Sequence, residues 1–109
     1  MSPADLLDLE HGVSSLRTSA EHCRDEAAAL RAQAEALHWR GASGEAFQRA
    51  AEAHALALGV TAAHLDDAAA IVEQHRVACA AQWQTIADAA AVVTDVASGL
   101  AHAAQSLVP

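Results

Sequence analysis

Apolar or small residues recur at alternating spacings of three and four from Leu6 through Leu9, Val13, Leu16, Ala20, Cys23, Ala27, Leu30 and Ala34 to Leu37, without a slip. Few patterns restrict a chain more. Such a seam belongs to a long, nearly straight helix with one apolar edge, which must pack at a shallow angle on another helix. The opposite face is charged, with Asp8, Arg17, Glu21, Arg24, Asp25, Arg31 and Glu35. Ser2, Pro3 and Asp5 form a start signal: a capping hydroxyl, a proline at the first helical position and a capping-box acid. Helix 1 is therefore predicted over residues 3–38, about 54 Å long, with Gly12 costing about 1 kcal/mol against alanine.

The periodicity breaks once, over residues 38–49, which read His-Trp-Arg-Gly-Ala-Ser-Gly-Glu-Ala-Phe-Gln-Arg. A turn is predicted over 39–43, where Gly41 lets the backbone leave the helix with positive φ. Ser43 is placed to cap helix 2, and Glu45 falls in its first turn, where the dipole favours an acid. Helix 2 is predicted over 44–80. Its seam runs through Phe47, Ala50, His54, Leu58, Thr61, Leu65, Ala68, Val72, His75, Cys79 and Trp83. The same spacing continues in a helical extension, 81–107, which helix 1 is too short to reach. That extension projects, packs on a partner or bends back, with Gly59 and Ser98-Gly99 as candidate bend points. The fold class is all-α, an antiparallel helical hairpin with a short turn.

Beside the seam of helix 2 stands a second apolar row of Leu56, Val60, Ala63, Ala70, Ile71, Val77, Val92 and Val96. Two adjacent rows make a face wider than one helix covers, and the reading preferred is pairing with a second hairpin into a four-helix bundle. Composition points the same way. Of 109 residues 53% are hydrophobic, yet only 3% are aromatic and much of the remainder is alanine. Alanine favours helix but buries little area, at roughly 25 cal/mol per Å², so one hairpin alone makes a thin core.

The net charge is −8, and all six basic residues are arginine. That balance opposes nucleic acid, which calls for a basic stripe, and opposes an anionic membrane surface. Arginine without lysine, in an alanine-rich chain, also suggests a GC-rich genome. The first residues, MSPADLLDLEHG, are acidic and form no leader, and no uncharged apolar run of about 20 residues is present, so no membrane span is expected. In a hairpin turned near Gly41, Cys23 lies level with residue 60 and Cys79 about 28 Å further along, so the two cysteines read as separate thiols.

Trp39-Arg40-Gly41, set between two long heptad runs and followed by Ala-Ser-Gly-Glu-Ala-Phe-Gln, resembles the Trp-X-Gly turn of the small ESAT-like (WXG) proteins exported by type VII secretion systems. Chain length, acidity and the single-hairpin pattern agree, over about residues 3–80. The resemblance implies a hairpin that pairs with a second small helical WXG-type protein, as a heterodimer or homodimer, in an antiparallel four-helix bundle. It implies export of the folded pair from the cytoplasm without a signal peptide, with Trp39 and Gly41 as the turn motif shown to the type VII export ATPase. In that family a C-terminal Tyr-X-X-X-Asp/Glu signal accompanies the turn. This chain has no tyrosine, and Ala87, not an acid, stands four residues after Trp83. The departure favours a heterodimer whose partner carries the signal. Phe47 fits the core at the hairpin tip, and it borders a partner-facing set completed by Leu56, Val60, Ile71 and Trp83. Other readings of the chain are an N-terminal targeting or adaptor module of a larger exported toxin or effector, and a helical adaptor that is not secreted.

No enzyme, metal site or cofactor is expected. Glu35-X-X-His38 is one half of a di-iron carboxylate pattern, but a second half is missing, as are His-Glu-X-X-His and Cys-X-X-Cys spacings. Two alanine-rich helices enclose no cleft. One titration is expected: His54 and His75 on the inward seam would be buried neutral, and stability would fall as pH drops through about 6.5.

Overall fold

The computed structural model describes residues 2–107. They form two helices, α1 over Pro3–Ala36 and α2 over Gly41–Ser106, with no strand among the described residues. The chain reverses within residues 37–40, and the helices pack on each other as a hairpin. Arg31 reaches Glu52 and Arg24 reaches Asp66, so residue numbers fall along one helix as they rise along the other. The molecule is a rod, 103 × 16 × 13 Å.

α1 begins as its sequence dictates. The Asp5 amide donates to Ser2 Oγ at 3.3 Å and the Ser2 amide donates to Asp5 Oδ2 at 2.8 Å, a complete capping box with Pro3 in the first turn. Its inward line is the heptad seam: Val13, Ala20, Ala27 and Ala34 are buried, while Leu6, Leu9, Leu16, Cys23 and Leu30 are half-buried between them. The helix ends at Ala36, two residues short of the predicted 38. His38 has φ +47 and leaves α1 in the left-handed conformation, and Gly41 takes the expected positive φ, +86, three residues later where α2 begins. Gln48 of α2 donates its amide to the Ala34 carbonyl at 2.5 Å. That carbonyl is among the last four of α1, which have no partner within the helix.

The seam of α2 departs from the predicted one. Leu58, Leu65, Val72 and Cys79 face α1 as expected, but the positions alternating with them are Ala51, Ala55, Ala62 and Ala69, all buried. His54, Thr61 and His75 are exposed. The physical reason is size. Both candidate rows flank the leucines, and the row that turns inward is the one whose side chains let the backbones approach. No large side chain is fully buried anywhere among the described residues. Alanine sets the spacing, and half-buried leucine and valine fill the edges.

α2 starts at Gly41, earlier than the predicted 44. Arg40 is its N-cap and makes no side-chain capping bond, so Ser43 and Glu45 lie inside the helix rather than at its entrance. From there it runs unbroken for 66 residues. At 1.5 Å per residue a straight helix of that length spans about 99 Å, close to the rod's full extent, so neither Gly59 nor Ser98-Gly99 is a bend. α1 covers α2 as far as Trp83, which is half-buried, and every residue from 84 to 107 is exposed. The extension is a bare helical arm.

α2 also holds an 18-residue window apolar enough, by length and composition alone, to cross a membrane, although it is not an uncharged run of about 20 residues. Only 17% of that window is buried. An alanine-rich helix with two adjacent apolar rows reaches such an average without an uncharged run, since the pairing of charges with α1 falls on its remaining face.

Candidate functional site

Two features stand out, and both are surfaces. The first is the hairpin tip. Trp39 lies in the four-residue reversal, its side chain 51% exposed. Its ring meets Phe47 with centroids 5.7 Å apart and planes tilted by 40°, a favourable offset aromatic geometry. Phe47, one turn into α2, is half-buried. The indole therefore rests against Phe47 while about half of the residue's surface stays open to solvent.

Two glycines permit this arrangement for different reasons. Gly41 has φ +86, a conformation that a side chain resists, although there is open space where one would project. Gly44 is buried, and a β-carbon there would overlap the Trp39 carbonyl and crowd the base of its indole. The sequence break contains both glycines, but only Gly41 is given a conformational role by its place in the turn; the contact that requires Gly44 arises from the fold. A glycine in the first turn of a helix, five residues after a tryptophan, is the signal that could have found it.

The second feature is the face of α2 turned away from α1. Leu56, Val60 and Ile71 are each more than half exposed, at 57%, 56% and 67%. Leu56, Gly59, Val60 and Ala63, with Ala28 and the stem of Arg31, line an open groove of about 410 Å³ along the hairpin. Its rim carries the two cross-helix ion pairs. Arg31 forks onto Glu52 with two contacts of 3.0 Å, and Arg24 meets Asp66 at 2.5 Å. The Arg31 hydrogen bond holds the Glu52 carboxyl below the usual range, and Glu52 in turn raises Arg31. Of the five residues assigned to a partner face, Leu56, Val60 and Ile71 thus lie uncovered, Phe47 is engaged at the tip, and Trp83 closes the far end of the hairpin.

Nothing matches from outside. Comparison with protein families, with curated proteins and with solved structures finds no counterpart for this chain. Its assignment therefore rests on its own residues.

The remaining chemistry is sparse. No group of three or more His, Cys, Asp or Glu side chains is gathered among the described residues. Cys23 and Cys79 are free thiols, and Cys79 Sγ lies 3.6 Å from His75 Nε2, one turn away on the same helix. His75 is itself exposed. The premise of a buried neutral histidine pair fails at both His54 and His75. Where the alanine row gives out, Arg76 is half-buried and forks onto Glu73 at 2.9 and 2.5 Å. Its hydrogen bond lowers Glu73, helped by the charge of Arg17 on α1. This charged knot interrupts the apolar seam near the end of α1's reach.

Proposed function

We propose that the chain is a helical pairing protein of the ESAT-like (WXG) kind, a type VII secretion substrate or the heterodimer partner of one, which acts by helix-on-helix binding. The observation that carries this reading is the half-exposed Trp39, held beside Phe47 by Gly41 and Gly44 at the tip of a hairpin. A tryptophan that served only to plug the turn would be driven inward. Here about half of the residue's surface stays free, as suits an interface anchor. The uncovered row of Leu56, Val60 and Ile71 supplies the surface for a second hairpin, and a different protein that carries the tyrosine signal is the favoured occupant, since these 109 residues include no tyrosine. The Trp-X-Gly turn is the part shown to the export ATPase.

The test couples pairing to export. Co-expression with a small helical protein that carries Tyr-X-X-X-Asp/Glu is expected to give a complex holding equal numbers of the two chains, read as a mass increase by light scattering, and Leu56→Glu with Val60→Glu to abolish it. Trp39→Ala should leave the hairpin folded with a melting temperature lower by about 5–10 °C, as expected for a half-exposed ring that loses its contact with Phe47, while export through a type VII system is lost. A chain that never takes up the second protein, or one exported equally well without Trp39, would end this reading.

A further inference from the structure

Within the hairpin, α2 alternates two series, each recurring every seventh residue. Ala55, Ala62 and Ala69 are buried against α1, and Leu58, Leu65 and Val72 are half-buried between them. The contacts of Gln48 with Ala34, Arg31 with Glu52 and Arg24 with Asp66 set a register in which Ala27 is about level with Leu58 and Ala20 with Leu65. Each layer thus joins one small residue to one large one. Past Arg76 and Trp83 both series resume in the same phase, as Ala90, Ala97 and Ala104 with Ile86, Val93, Leu100 and Leu107, and all of these are exposed. The interface that α1 occupies continues along the arm with nothing on it.

We infer that a second copy of this chain covers the arm, the two arms running antiparallel. In an antiparallel pair of identical heptad helices the two seam positions face each other. An arm with alanine at one and a larger residue at the other is therefore its own complement: Ile86 meets Ala104, Ala90 meets Leu100, and Val93 meets Ala97. Parallel arms would set alanine on alanine and leave voids. The lengths also agree, because Leu107 of the second copy comes level with Trp83, where α1's cover ends, so the seam is closed end to end. Charge does not oppose the contact despite the net −8. Asp88, Asp95 and His102 share one stripe on the opposite side of the helix, and the positions flanking the seam are Ala87, Ala89, Thr94, Val96, Ala101 and Ala103. This surface is separate from the Leu56, Val60 and Ile71 face, and the inference does not depend on the secretion reading.

The full chain, without any second protein, is tested by light scattering and small-angle X-ray scattering. A mass of twice 11.2 kDa is expected. Two 103 Å rods overlapping along the arm, over about 37 Å at 1.5 Å per residue, give a particle about 170 Å long. Val93→Glu with Leu100→Glu, both at exposed positions, should keep the hairpin melting temperature and weaken self-association by more than about 100-fold. Ala97→Leu, which crowds a small site, should weaken it by about 10-fold. Leu56→Glu with Val60→Glu should leave it within about 3-fold, as expected for sites that share no contact with the arm. A monomer at about 100 μM, a dimer near 103 Å long, or a dimer indifferent to the Val93 and Leu100 changes would each overturn the pairing; 100 μM already corresponds to a self-affinity of only about 5.5 kcal/mol.

Discussion

His38 and Gly44 decide the turn at the scale of single residues, and they do so in opposite ways. His38 adopts φ +47 although it has a β-carbon; a left-handed residue of that kind costs about 1–2 kcal/mol. His38→Gly is therefore expected to raise stability by about 1 kcal/mol in urea unfolding. Gly44→Ala should do the reverse. Alanine gains about 1 kcal/mol as a helix former, but its β-carbon collides with the Trp39 backbone, which does not move aside as a flexible side chain would. A net loss of about 1–2 kcal/mol is expected, together with a shift in Trp39 fluorescence as the indole is displaced. Neither effect is legible from composition, because left-handed φ and backbone contact arise only when the turn is closed.

At the scale of the helices, α1 was readable almost residue by residue, while α2 was not. In α1 the seam positions are mostly leucine or valine set among charges, so periodicity picks a single inward line. In α2 alanine fills nearly every position beside the leucines, and the two flanking rows differ only by His54 and Thr61 in one against Ala55 and Ala62 in the other, a local difference in polarity and size that already favours the row found inside. The close approach of α1 makes that choice, and it turns His54 and His75 outward. A pH dependence follows with a definite sign. Glu52 and Glu73 have carboxyl groups lowered by hydrogen bonds from Arg31 and Arg76, and Asp5 is lowered by the Ser2 backbone and hydroxyl. Groups lowered on folding contribute stability that is present above their unfolded values, about 3.9–4.3, and lost as pH falls through the lower folded ones. The melting temperature should therefore be level between pH 7.5 and 5.5 and decline only in the acid range below about pH 4.3. Because these pairs are exposed, high salt should soften that decline.

At the scale of the whole molecule, the rod joins a packed hairpin to an arm without tertiary support. Most helical stability comes from packing an apolar face rather than from propensity, so the two parts should open separately. In the chain kept monomeric by Val93→Glu and Leu100→Glu, amides over residues 84–107 are expected to exchange well before those over 51–80; uniform protection along α2 would show that the arm is held some other way. The chain's local pattern of heptad spacing, capping box and Gly-containing break was enough to establish two long helices, the reversal between them and an apolar face too wide for one neighbour, because each is written in residues close together along the chain. Which row of α2 turns inward and how the Trp39 indole is propped at the tip were settled by contacts between residues far apart in sequence, because close packing decides which small side chains lie against α1; the arm beyond Trp83, which has no such contacts, only continues the chain's local helical pattern.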